Sequence, residues 1–160
     1  MKRTVYILTL LALLLTSCKQ DNWMDWKLQN EMWLEANKLK DDVQTSSTGL
    51  QYKIKYAGNP TDAKPDDAST IIVSYTGHLI NGYQFDEATN ASLSMNPKAI
   101  IAGFAEGMKK IHAHGDIELY IPQELGYGDS IQGREGNFSG TFIPPYSTLI
   151  FDIHLQAVTK

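Results

Sequence analysis

Asn81-Gly82, set between two β-branched and apolar runs, constrains this chain more than any other pair of residues. Residues 70–80 read as one long strand and residues 83–86 as its return. A two-residue Asn-Gly connection suits a type I′ turn, which needs positive φ at both central positions. The pair therefore predicts an antiparallel hairpin, and with it a sheet of locally connected strands. Three other segments share the period of two that marks a strand with one buried face. Leu50, Tyr52, Ile54 and Tyr56 alternate with polar residues. Ile117, Leu119 and Ile121 alternate with Asp116, Glu118 and Tyr120. Leu149, Phe151, Ile153 and Leu155 alternate with Ile150, Asp152, His154 and Gln156. Residues 93–95 form a weaker strand. One internal helix is expected, because Ile100, Ile101, Phe104, Met108 and Ile111 follow a 3.6-residue period. Gly103 and Gly107 interrupt it, each costing about 1 kcal/mol against alanine in a helix interior, so a neighbour must approach closely there. Many strands with one short central helix make an antiparallel α+β domain.

The first 45 residues do not belong to that sheet. Lys2 and Arg3 precede an apolar run over residues 5–15, broken only by Thr9. The run is shorter than the roughly 20 residues that span a bilayer and reads as an export signal over residues 1–17. Leu15-Thr-Ser-Cys18 resembles the lipobox of bacterial lipoproteins, in which the cysteine is acylated and becomes the new N-terminus. Cys18 is the single cysteine, so thiol catalysis and disulfides are excluded from the mature domain. Loss of Lys2 and Arg3 from 14 basic residues leaves 12 against 18 acidic ones. That balance of −6 argues against nucleic-acid binding. The expected location is the cell envelope, lipid-anchored on the periplasmic side or at the cell surface.

Residues 18–45 hold a tether and a helix from about residue 22 to 43. Leu28, Met32, Ala36, Leu39 and Val43 make one apolar stripe, while Trp23, Trp26, Trp33 and Leu34 lie on another sector. Two readings stand: the helix touches both its own domain and a second subunit, forming a homodimer, or it packs only on its domain with exposed aromatic edges. His112-x-His114 lacks a nearby acid or cysteine cluster to complete a metal site. No metal and no cofactor are expected.

Four motifs, in order, are similar to the signatures of one family. Tyr75-Thr-Gly-His-Leu-Ile-Asn-Gly-Tyr-Gln-Phe-Asp86, Ile100-Ile-Ala-Gly-Phe-Ala-Glu-Gly-Met108, Ile121-Pro-x-x-Leu-Gly-Tyr-Gly128 and Ile143-Pro-Pro-x-x-Thr-Leu-Ile-Phe-Asp152 resemble those of the FKBP-type peptidyl-prolyl cis-trans isomerases. Thr48-Gly-Leu-Gln-Tyr-Lys-Ile54 resembles the opening strand of secreted members with an N-terminal helical extension, the macrophage-infectivity-potentiator type. The resemblance implies a bent antiparallel sheet wrapped around the short helix over residues 46–160, with an aromatic pocket between them. It implies Tyr75, Asp86 and Tyr127 as catalytic residues and Phe85, Ile100, Ile101, Phe104, Ile143 and Phe151 as substrate-binding residues. The Ile101 N–H and the Tyr127 hydroxyl would bond the substrate backbone, and Phe104 would be the floor, where most members place tryptophan. It further implies X-Pro polypeptides as substrates and FK506/rapamycin-type macrolides as ligands. The sequence departs from the pattern at Phe104, at Ala91, where many members have a pocket aromatic, and in the long glycine-bearing segment 129–142, expected as a flap. Tyr75, Phe85, Ile101, Phe104 and Phe151 would also suit the core of any β-rich domain. The leading function is isomerisation of X-Pro bonds in exported proteins. The alternative is a proline-segment binding chaperone module with weak or no isomerase activity.

Overall fold

The computed structural model describes residues 23–134 and 141–160; the expected signal segment, Cys18 and residues 135–140 of the expected flap lie outside the described residues. An N-terminal helix α1 (Trp23–Asn37) precedes β1 (Gln44–Thr45), β2 (Gln51–Tyr56), β3 (Thr70–His78) and β4 (Gln84–Ser94). A short helix α2 (Ala102–Met108) leads to β5 (Asp116–Ile121), a 3₁₀ turn (Gln123–Leu125), β6 (Gln132–Gly133), β7 (Phe142–Ile143) and β8 (Leu149–Thr159). Six strands form one antiparallel sheet in the order β1-β2-β5-β8-β3-β4, and β6 pairs with β7 separately. This is the α+β architecture expected: a sheet, a short helix and a preceding helix.

The alternating residues of β5 and β8 form the core. Ile117, Leu119, Ile121, Leu149, Ile153 and Leu155 are at most 1% exposed. The glycines of α2 have a definite neighbour. A Cβ on Gly103 would lie 2.4 Å from Ile121 Cγ2, and one on Gly107 would lie 2.4 Å from Leu119 Cδ2. The helix thus lies on β5 with its backbone nearly touching the strand's side chains, an approach only glycine permits.

Three local expectations are corrected. The hairpin is not a type I′ turn. Gly82 N–H donates to Leu79 O and Leu79 N–H to Tyr83 O; Gly82 has φ +83° while Asn81 keeps negative φ. This is the three-residue alternative, a tight turn closed by a left-handed glycine, and the Asn81 side chain accepts from the Tyr83 N–H instead. Secondly, residues 84–94 are one continuous strand rather than two short ones. Its register slips between Gly77 and His78 and again between Val73 and Tyr75, the latter where Asn90 adopts φ +55°. Each bulge switches which residues face inward, so no single period of two runs along β4.

Helix α1 ends at Asn37 rather than near residue 43. Asn37 is buried and donates to Gln51 Oε1, which draws the chain down onto β2. The face against the domain is Trp26, Asn30, Trp33 and Asn37, whereas Met24, Leu28 and Met32 are exposed.

Candidate active site

The site begins with Gly77. A Cβ there would meet Phe85 ring carbons at 2.7 Å and Phe151 at 3.1 Å. Its absence lets Phe85 pack on the β3 backbone, edge-on to Phe151 with ring centroids 5.4 Å apart. Phe151 in turn meets Phe104 at 5.3 Å and Tyr75 at 5.7 Å, both edge-to-face, and Tyr75 meets Phe104 at 6.0 Å. Such pairs set the quadrupolar edge of one ring against the face of the next and hold both in place. Four elements, β3, β4, α2 and β8, are locked together by these four rings.

Above them opens a cavity of about 380 Å³ lined by Tyr75, Asp86, Ile100, Ile101, Phe104, Tyr127 and Phe151, with Leu93, Lys98 and Ala99 completing the rim. That is within the usual size of a small-ligand pocket. Seven of the nine site residues expected from the sequence therefore meet in one cavity. Phe85 and Ile143 do not line it; Phe85 packs edge-on against Phe151 instead. Leu93, rather than Ala91, supplies the β4 side chain beyond Asp86 that lines the cavity. Leu93 was hidden from sequence reading by the β4 bulges; Lys98 and Ala99 immediately precede the Ile100-Ile101 pair and could have been found from that adjacency.

The polar groups are few and directed. The Tyr75 hydroxyl donates to Asp86 Oδ2 at 2.8 Å, and Asp86 Oδ1 accepts from the Glu87 N–H at 2.9 Å. Burial, the hydrogen bond to Asp86 and its negative charge push the Tyr75 hydroxyl well above the ordinary tyrosine range. Burial and then the Asp86 charge also raise Tyr127. Both are neutral hydrogen-bond donors at physiological pH. The Ile101 N–H at the start of α2 and the Tyr127 hydroxyl donate to nothing among the described residues, so both are free for a ligand. No cluster of three metal-ligating side chains occurs among the described residues, and His112 instead contacts the Asp62 carbonyl through Nδ1. An apolar cage with one fixed carboxylate and two free donors can bind an amide carbonyl and an apolar ring; it contains no activated nucleophile.

Comparison with known proteins bears on this geometry. The sequence profile of the FKBP-type peptidyl-prolyl cis-trans isomerases matches residues 61–156. The chain is 43% identical over 118 residues to the FKBP-type peptidyl-prolyl cis-trans isomerase FkpA of Escherichia coli, covering 72% of this chain and 40% of that protein. It is 37% identical over 136 residues to the outer membrane protein MIP of Legionella longbeachae, covering 84% of this chain and 54% of that one. The chain thus spans about half the length of these relatives. The crystal structure of FkpA from Escherichia coli superposes with a TM-score of 0.73 at 33% identity, over 99% of this chain and 72% of that one. With a profile match over most of its length and this fold, the chain belongs to the FKBP-type peptidyl-prolyl cis-trans isomerase family.

Proposed function

We propose that this protein catalyses cis-trans rotation of X-Pro bonds in exported polypeptides. Rotation about a peptide C–N bond must overcome about 18–20 kcal/mol because resonance is broken. No covalent bond is made or lost, so neither nucleophile nor metal is needed. A planar imide has a more polarised carbonyl than a twisted one. An apolar pocket floored by Phe104 and walled by Tyr75 and Phe151 therefore disfavours the planar state relative to the twisted one, which is differential binding of the transition state. In this reading Ile100, Ile101 and Phe104 seat the proline ring. Phe85 backs Phe151, and the Ile101 N–H and Tyr127 hydroxyl hold the substrate backbone. Asp86, held by Tyr75, faces the rotating carbonyl. The observation that carries the reading is the pair of free donors over an aromatic cage.

Exchange of a short X-Pro peptide is the test, with wild type beside Asp86→Ala and Tyr127→Phe. Wild type should accelerate exchange and both variants should be slower; no acceleration by wild type would refute the proposal. Phe104 supplies no indole N–H at the floor, which favours a second reading in which the pocket holds proline segments and turns them over slowly. Refolding assistance without exchange activity would select it. Macrolides of the FK506/rapamycin type are proposed to enter the same cavity and should compete with peptide.

The Leu15-Thr-Ser-Cys18 segment supports a lipid anchor at Cys18 in the cell envelope, and one relative is named an outer membrane protein. No helix among the described residues is long and apolar enough to cross a membrane. Cys18→Ala should move the protein from the detergent to the aqueous phase. Met24, Leu28 and Met32, exposed by 55–62% on one side of α1, support a homodimer through that face. Sedimentation of Met32→Asp beside wild type tests it.

A further inference from the structure

Helix α1 is joined to the rim of the cavity by a chain of short hydrogen bonds that neither the family motifs nor the proposed chemistry uses. Asn30, only 2% exposed, accepts from the Thr148 N–H at 2.7 Å and donates to the Trp26 carbonyl at 2.7 Å. The Trp26 indole N–H donates to Ser147 Oγ at 2.9 Å, and that hydroxyl donates to the Pro144 carbonyl at 2.8 Å. Between these anchors Tyr146 adopts φ +63°, a left-handed conformation that a residue with a Cβ keeps only when its surroundings enforce it. That conformation directs its N–H to the Gly128 carbonyl at 2.7 Å, on the residue next to Tyr127. Lys27 lies over the Tyr146 ring at 5.2 Å, and Trp23 packs on Phe142 at 6.2 Å. Residues 142–148 are therefore held from one side by four residues spread over about two turns of α1, and they hold the Tyr127 loop on the other.

We infer that Trp26 and Asn30 are positioning residues for the Tyr127 hydroxyl, acting through segment 144–148 and Gly128. The inference rests on the isomerase reading above and adds to it that α1 is part of the site's scaffold. The segment 144–148 has little regular pairing of its own; Thr148 N–H is bonded by Asn30 rather than by a strand. Without that acceptor a buried amide is left unsatisfied, and the segment must shift to reach water. The shift passes to Tyr127 because Gly128 and Tyr146 share a hydrogen bond.

The experiment uses the intact chain with Trp26→Phe, which keeps a ring but removes the indole N–H, and Asn30→Leu, which keeps the branched side-chain skeleton but removes both the acceptor and the donor. Gln29→Ala, on an exposed position of the same helix, is the control. Peptide exchange is measured with kcat and KM resolved, each variant also placed in a Tyr127→Phe background. Loss of one positioning hydrogen bond should lower kcat/KM by about fivefold, with Gln29→Ala unchanged. In the Tyr127→Phe background the same substitutions should add little, because the hydroxyl they position is gone. Full additivity, or unchanged kcat/KM with only a lower melting temperature, would overturn the inference and leave α1 as a structural anchor. Should Asn30→Leu not fold, Trp26→Phe alone carries the test. If wild type shows no exchange activity, the isomerase reading fails by itself. The positioning is then read from the ring resonances of Tyr127, which must move in Trp26→Phe and not in Gln29→Ala; unmoved resonances overturn it.

Discussion

The Tyr75 hydroxyl lies 2.8 Å from Asp86 Oδ2 and donates to it across the β3–β4 pair. Asp86 stands opposite Gly77 rather than opposite Tyr75 in the ladder, so the contact runs diagonally and ties the turn end of the hairpin to the cavity wall. Hydrogen bonds to charged groups are worth more than neutral ones, and their loss typically costs about tenfold or more in an equilibrium or rate. Tyr75→Phe should leave Asp86 held only by the Glu87 N–H and lower kcat/KM for peptide exchange by about five- to tenfold. Asp86→Ala should cost more. Equal exchange rates in Tyr75→Phe and wild type would show that the diagonal contact does not serve the site.

Gly77→Ala tests the aromatic stack rather than the polar groups. Its Cβ would sit 2.7 Å from Phe85, so Phe85 must move and Phe151 with it. Overpacking of this kind costs about 1–3 kcal/mol. The expected outcome is a lower denaturation midpoint together with weaker peptide binding, seen by titration at a temperature where the variant is folded.

At Gly107 two effects of opposite sign compete. Alanine improves helix propensity by about 1 kcal/mol, yet its Cβ would lie 2.4 Å from Leu119 Cδ2 and 2.5 Å from Cδ1. Leu119 is fully buried, so overpacking wins. Gly107→Ala should destabilise by about 1–2 kcal/mol. Leu119→Ala alone should cost about 2–5 kcal/mol, and the double variant should be more stable than the sum of the two predicts, in denaturant melts.

Two tyrosines set the alkaline limit. Burial first, then a hydrogen bond to a carboxylate, raises Tyr75 through Asp86 and Tyr120 through Glu118, the latter contact being 2.7 Å. An unfolded tyrosine ionises near about pH 10. Above that value the unfolded chain loses these protons while the folded chain keeps them, so stability falls as pH rises. It is intact below the unfolded value and is lost as pH climbs towards the folded values. Urea midpoints should be level from neutrality to about pH 9 and then drop; Tyr120→Phe should shallow that drop. Exchange activity should be level over the same neutral range, since no proton is transferred.

The local periodicities were legible because each depends on neighbours in the chain. Alternation in β5 and β8 located the core strands, the 3.6-residue spacing located α2, and Gly103 and Gly107 announced a close approach that proved to be to Ile121 and Leu119. The motifs brought Tyr75, Asp86, Ile100, Ile101, Phe104, Tyr127 and Phe151 to one cavity. Strand β4 was not legible as one element, since bulges at its partner register reversed the inward set twice. Helix α1 misled for a related reason. Of the expected stripe, Leu28 and Met32 on the helix and Leu39 beyond its end are exposed, while the docked face carries two buried asparagines.

By itself the sequence determined which segments are strands, which helix carries glycines and which side chains are chemically available. Those follow from backbone propensity and from the spacing of apolar groups, which act over a few residues. Only the tertiary structure decided that Leu93 joins the cavity lining, that Phe85 and Ile143 do not, and that Asn30 and Trp26 bond the segment beside the Tyr127 loop. The first depends on the β4 bulges and the last on hydrogen bonds between residues 118 and 121 positions apart, whose energies exist only once the fold has brought both partners together.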